Sequence, residues 1–209
     1  MAEPTIDASA GPVALRTSPL AHMEERMRAA GVTGARGVTL TERAFTGMLN
    51  LRVAPGTETA ARVERALGVP LPPRCGRTAT SSAHSVLWLG PDEWLVVSRT
   101  DETTVAPALR AALGVAPGSV VDVSANRTTL ELGGPAARQV LEKGCPLDLH
   151  PRSFGPGTAV STTVGPVAVL LWQIDDTPAY RLLPRSSFAD YLARWLIDAM
   201  GEYAGPEVP

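Results

Sequence analysis

Two spacings of apolar residues alternate along the chain. Leu49, Leu51 and Val53 are separated by Asn50 and Arg52, and Thr128, Leu130 and Leu132 by Thr129 and Glu131. Side chains two apart share one face of a strand, so each run predicts a half-buried strand. Other apolar residues recur every three or four positions: Leu20, Met23, Met27 and Ala30; Ala60, Val63 and Leu67; Val105, Ala108, Leu109, Ala112 and Leu113; Ala137, Val140 and Leu141; Phe188, Leu192, Trp195 and Ala199. Each set is the stripe of an amphipathic helix. Local signals bound these helices. Ser18-Pro19 reads as an N-cap followed by proline at the first helical position, with Gly31 closing that helix. Pro55-Gly56-Thr57 turns the chain into the second helix, which Gly68 stops, and the third runs from about Thr103 to Gly114. Gly133-Gly134-Pro135 opens the fourth and Gly144 ends it, while Ser187 and Asp190 have capping-box spacing ahead of the fifth.

A third pattern is apolar on both faces. In Ser85–Ser98, Val86–Leu89 and Trp94–Val97 flank Gly90-Pro91-Asp92-Glu93. Proline fixes φ near the value a tight turn needs at its second position, so the stretch predicts a β-hairpin whose arms must be covered on both sides. Val160–Val164 and Val167–Gln173 predict two more strands about Gly165-Pro166, and Tyr180–Leu183 a third after the turn Asp175-Asp176-Thr177-Pro178. Val38–Glu42 and Ser119–Val123 read as short strands, Val69–Arg74 and Cys145–Asp148 as connectors, and Cys75–His84 as a polar loop. Residues 1–17 read as a mobile tail and 201–209 as a C-terminal tail.

These elements recur in the same order. Leu51-Arg52-Val53, proline, helix and Gly68-Val69-Pro70-Leu71 match Leu130-Glu131-Leu132, proline, helix and Gly144-Cys145-Pro146-Leu147. Pro73-Arg74 and Pro151-Arg152 then correspond, followed by Val86-Leu87-Trp88 and Val169-Leu170-Leu171-Trp172. Offsets of 79 (51 to 130) and 84 (88 to 172) stay nearly constant, as expected if insertions fall in loops. The expected fold is α+β: two pseudo-repeated strand-helix-strand-strand-helix units, 18–114 and 115–200, forming one domain. The hairpin would then be covered by its own unit's helices on one face and by the second unit, or another chain, on the other.

Composition narrows the function classes. Hydrophobic residues make up 44% of the 209 and charged ones only 19%, below the usual quarter. Either the surface is rich in Ala, Gly, Pro and Thr, or part of it is buried against another protein. With 19 basic and 21 acidic residues, net charge −2, and no Lys/Arg cluster, nothing favours nucleic acid or an anionic membrane as partner. Cys75 and Cys145 lack metal-ligand spacing and read as reduced thiols of a cytoplasmic protein. No run is long enough to span a bilayer, and the first residues lack a secretory signal pattern.

No strong catalytic motif emerges. Gly133-Gly134-Pro135 precedes a helix, where a phosphate could sit, but it lacks a third glycine and a P-loop lysine and reads as a turn. Ser81, Ser82 and His84 share one loop without an elbow or an orienting third group. His22, His84 and His150 are scattered, without ligand spacing. Asp92-Glu93 and Asp175-Asp176 read as turn formers rather than acid–base pairs. Trp88, Trp94, Trp172 and Trp195 lie within apolar strands or a helix face and read as core. No catalytic, cofactor-binding or metal-binding residue is assigned.

Three stretches together carry a family resemblance: LWLGPDEWLVV (Leu87–Val97), DVSANRTTLELGGPAARQVLEKGCPLDL (Asp122–Leu149) and RSSFADYLARWL (Arg185–Leu196). They resemble the gamma subunit of heterotetrameric sarcosine oxidase, over nearly all of residues 37–200. That family is related to the folate-binding fold of the glycine-cleavage aminomethyltransferase (T-protein). The resemblance implies a complex whose alpha and beta subunits carry FAD, FMN, NAD and the tetrahydrofolate site and whose delta subunit carries zinc. Such a complex demethylates sarcosine to glycine with peroxide formed, passing the one-carbon unit to tetrahydrofolate. The aminomethyltransferase pattern has an acidic residue entering the strand after a mid-domain glycine; the comparable Gly165-Pro166-Val167-Ala168-Val169 has none. The resemblance thus implies a non-catalytic, structural gamma subunit with no cofactor of its own. The alternatives are a stand-alone folate-binding or aminomethyl-transfer protein using the pocket between its halves, and an interaction module outside sarcosine metabolism.

Overall fold

Among the described residues, ten strands join edge to edge, all antiparallel, in the order β1-β7-β10-β9-β8-β3-β4-β5-β2-β6. In chain order the elements are α1 (Glu24–Ala29), β1 (Thr39–Arg43), β2 (Met48–Val53), α2 (Glu58–Leu67), β3 (Gly76–Thr80), β4 (His84–Gly90), β5 (Glu93–Ser98), α3 (Ala106–Leu113), β6 (Gly118–Asp122), β7 (Thr129–Gly133), α4 (Ala137–Glu142), β8 (Thr158–Val164), β9 (Val167–Gln173), β10 (Ala179–Pro184) and α5 (Ala189–Met200). The computed structural model describes residues 16–98 and 104–205. Thr103, most of the tail expected over 1–17, and residues 206–209 lie outside them.

The middle of the sheet is a narrow seam. β3 meets β8 through two pairs, Gly76 with Ala159 and Arg77 with Thr158, reinforced by the Thr78 hydroxyl donating to the Gly157 carbonyl at 2.7 Å. Outward from the seam the strands run β3-β4-β5-β2 on one side and β8-β9-β10-β7 on the other. The outermost strands cross over. β1 precedes β2 in the chain but pairs with β7, and β6 precedes β7 but pairs with β2.

The alternation of side chains explains the layers. In the β4–β5 hairpin, Val86, Trp94 and Val96 face α2 and α3, packing with Val63 and Leu109. Leu87, Leu95 and Val97 point the other way and meet Leu170, Trp172 and Leu183 of β9 and β10. The sheet therefore curls so that its two ends pack face to face, with helices outside. A third cluster sets Leu130, Leu171 and Leu182 against Val140, Leu192 and Leu196 of α4 and α5; the 3-10 turn Ala21–Met23, α1 and β1 add Met23, Met27 and Leu40 to it. Full burial of one such aliphatic side chain contributes roughly 1.5–3 kcal/mol. Trp94 also places its one polar group, donating Nε1–H to the Pro72 carbonyl at 2.9 Å.

Several local expectations are corrected. Cys75–His84 is not all loop, because β3 lies within it. Its Thr78 and Thr80 alternate with Arg77 and Ala79, so no large apolar residue announces the strand, and cross-strand pairing alone defines it. Ser18 does not cap a helix; its hydroxyl donates to Glu42 at 2.6 Å. Ser187 and Asp190 form no capping box, since a 3-10 turn over Ser186–Phe188 precedes α5 and Asp190 is engaged elsewhere. By contrast, Thr57 caps α2 by accepting from the Ala60 N–H at 3.2 Å, and Gly68 ends it at φ +68°. After α5 a 3-10 turn, Gly201–Ala204, sets Tyr203 between the cations of Arg36 and Lys143.

Candidate functional site: a polar cleft between the two ends of the sheet

Strand register builds a row of polar side chains. Thr41 of β1 pairs with Glu131 of β7, Glu131 with Arg181 of β10, and Arg181 with Trp172 of β9. Neighbours in register on adjacent strands share a face, so these side chains stand side by side. Arg43, two residues beyond Thr41, joins them. One carboxylate oxygen of Glu131, Oε2, accepts from Arg43 Nε at 2.6 Å and from Arg181 Nε at 3.1 Å. The Arg181 guanidinium lies 5.1 Å from the centre of the Trp172 ring, a cation–π contact. With Thr78 and Ser85 from the other end of the sheet, these groups line a cleft of about 650 Å³. Trp172 is buried and, among the described residues, its Nε1–H lacks a partner, as does Gln173 Oε1.

The chemistry available there is limited. Acid–base catalysis needs a carboxylate free to exchange a proton with substrate. Glu131 is held by two guanidiniums, and Glu42 accepts from Ser18 at 2.6 Å and from Thr128 at 2.5 Å. A second groove, about 780 Å³, lies between α1 and β1 and is largely apolar, lined by Leu20, Met27, Leu40 and Phe45. Arg16 sits 4.5 Å above the Phe45 ring there.

The other sequence candidates fall outside any site. At Gly133-Gly134-Pro135 the backbone donors are already used: Gly134 N–H goes to the Pro178 carbonyl and Ala136 N–H to that of Gly37, both at 3.0 Å. Gly134 sits at φ +112°, and a Cβ on it would lie 2.5 Å from the Gly37 carbonyl oxygen. The Ser81 hydroxyl binds the His84 backbone. His150 Nδ1 accepts from the Arg152 N–H, and His22 pairs with Asp190 at 2.7 Å. Together the hydrogen bonds from Arg194 and His22 hold the Asp190 carboxyl down at about 2. Asp92 pairs with Arg52, Glu93 accepts from Asn50, and Asp175 accepts from Thr177. Gly165-Pro166 packs beneath Trp195 of α5, away from the cleft. Among the described residues, no group of three or more His, Cys, Asp or Glu is placed to hold a metal, and no helix is long and apolar enough to cross a membrane. Sequence reasoning overlooked the Arg43–Glu131–Arg181 cluster. Its one signal was a single charged residue among apolar neighbours in each of β7 and β10, Glu131 and Arg181, with Arg43 at the end of β1, which by itself reads as a solvated face.

The curled antiparallel sheet with helices outside has a counterpart in a solved aminomethyltransferase. The glycine cleavage system aminomethyltransferase T of Bartonella henselae superposes with a TM-score of 0.63 at 14% identity, over 91% of this chain and 60% of that one. The fold class is thus aminomethyltransferase-like, with the cleft's carboxylates taken up by internal partners. The chain belongs to the sarcosine oxidase gamma subunit family, whose model matches residues 53–202. It is 48% identical to the sarcosine oxidase subunit gamma of Corynebacterium sp. (strain U-96) and 46% identical to that of an Arthrobacter species, each over 93% of this chain and 94% of the relative. A chain of the heterotetrameric sarcosine oxidase from Corynebacterium sp. U-96, solved in complex with pyrrole 2-carboxylate, superposes with a TM-score of 0.89 at 47% identity, covering 93% of this chain and all of that one.

Proposed function

We propose that this chain is the non-catalytic gamma subunit of a heterotetrameric sarcosine oxidase, stabilising alpha and beta subunits that bear the flavins, NAD and the folate site, alongside a zinc-bearing delta subunit. The assembly would demethylate sarcosine to glycine with tetrahydrofolate as one-carbon acceptor, in the cytoplasm. The observation that carries this reading is the likeness, TM-score 0.89 over 93% of this chain, to a chain of that complex. The commitment of Glu131 and Glu42 to internal partners supports a scaffold over a stand-alone aminomethyl-transfer protein. In this reading residues 18–200 are one domain built from two copies of a unit, but the strand-helix-strand-strand-helix order expected from the sequence gains a third strand between its two helices, as β2-α2-β3-β4-β5-α3 and β7-α4-β8-β9-β10-α5. The matching strand orders on the two sides of the seam support the duplication.

The test is co-expression with sarcosine oxidase alpha and beta chains. The chain should co-purify with them, whereas alone it should bind no flavin and release no heat with tetrahydrofolate. Failure to associate would overturn the subunit role. Saturable folate binding by the isolated chain would favour the stand-alone reading instead.

A further inference from the structure

The outward face at the start of α5 presents a patch that the fold itself leaves unused. Ala189, Leu192, Ala193 and Leu196 turn inward, while Arg185, Phe188 and Tyr191, three residues apart, turn out. Phe188 and Tyr191 leave 51% and 52% of their surface exposed. Beside them Arg127 forms an antiparallel bridge with Arg185 and donates to the Leu183 carbonyl at 2.8 Å. Among the described residues, neither arginine has a carboxylate within ion-pair distance. Burial and the neighbouring charge of Arg185 push the Arg127 guanidinium below its usual range. The patch is held in place, because Ser186 donates its N–H to the Asn126 carbonyl and its hydroxyl to that of Ala125.

Two adjacent like charges without a counter-charge among the described residues, flanked by two half-exposed aromatic rings, have the composition of an interface centre rather than of ordinary surface. A second copy of this chain is a poor occupant. Self-pairing about a twofold axis would bring the same positive patch against itself. A carboxylate-bearing surface supplies the missing charge and covers the rings.

We propose that Arg127, Arg185, Phe188 and Tyr191 form the surface by which this chain docks on an acidic segment of a partner subunit; the inference rests on the subunit role above. The experiment co-expresses the alpha and beta chains, one of them tagged, with wild-type or altered gamma chain and measures how much gamma is retained. Arg185→Glu and the double variant Phe188→Ser/Tyr191→Ser should each lower retention at least about tenfold. Val115→Ser, which changes a fully exposed valine between α3 and β6, should leave it unchanged. Wild-type retention should also fall as salt is raised. Arg185→Gln removes the charge without reversing it and serves if the glutamate variant melts early. Full retention of well-folded variants, with wild type retained, overturns this surface but not the subunit role. No retention of wild type overturns the subunit role. A dimer of the isolated chain that Arg185→Glu dissolves would make a second copy the occupant and overturn the acidic partner.

Discussion

Glu131 shows how much one side chain can be asked to hold. A single oxygen accepts from both Arg43 and Arg181, so Glu131→Ala leaves two guanidiniums facing each other across β1, β7 and β10. Hydrogen bonds to charged groups contribute about 1.5–3 kcal/mol each when sheltered and less when wet. The expected loss is about 1–3 kcal/mol, read as a lower urea midpoint; an unchanged midpoint would mean that solvent already screens the cluster. Gly134 is constrained differently. Gly134→Ala would hold a side chain at φ +112° against the Gly37 carbonyl, costing about 1–3 kcal/mol in backbone strain alone, visible as a lower melting temperature. Asp190 adds a pH dependence of known sign. Arg194 and His22 hold its carboxyl at about 2 in the folded chain, against 3.8 ordinarily. A depressed carboxyl stabilises the fold above its unfolded value and loses that contribution as pH falls through the folded one. The stability gap between wild type and Asp190→Asn should therefore be full at neutral pH and close between pH 3.8 and about 2. A gap that stays constant across that window would contradict the pairing seen here.

At the scale of elements, the β4–β5 hairpin turns on Trp94. It is fully buried among α2 and α3, with its indole donating to the Pro72 carbonyl. Trp94→Phe removes that donor and strands the carbonyl, so unfolding should come about 1–3 kcal/mol more easily; a neutral result would show that water reaches Pro72. The hairpin was legible in the sequence because its arms are apolar at consecutive positions, and only an element covered on both faces reads that way. The helices were legible from their stripes, and α2 from its caps as well. β3 was not, because a strand made of Thr, Ala and Arg between two partners carries no hydrophobic alternation. The misread caps share one cause. A hydroxyl or carboxylate takes its strongest available partner: Glu42 for Ser18 and His22 for Asp190 arrive only with tertiary structure, and Arg194, one turn further along α5, also draws Asp190 away from the cap. The cleft was illegible for the same reason, since Arg43 and Glu131 meet across 88 residues of chain.

For the molecule as a whole, the cluster of Leu87, Leu95 and Val97 with Leu170, Trp172 and Leu183 joins the two ends of the curled sheet. If it couples them, Leu95→Ala should cost about 2–5 kcal/mol and leave one unfolding transition, with circular dichroism and tryptophan fluorescence superimposed. Separate transitions would mean that the ends unfold independently. The crossing of the outer strands bears on how the chain comes off the ribosome. β1 is made early but pairs, among the described residues, with β7 alone, Thr39 lying opposite Gly133, 94 residues later. At synthesis rates of 5–20 residues per second, that edge waits roughly 5–20 seconds for its neighbour. Until residue 133 has emerged, no prefix of this protein is a finished fold, and closing so long a loop places its assembly among the slower, non-local kind.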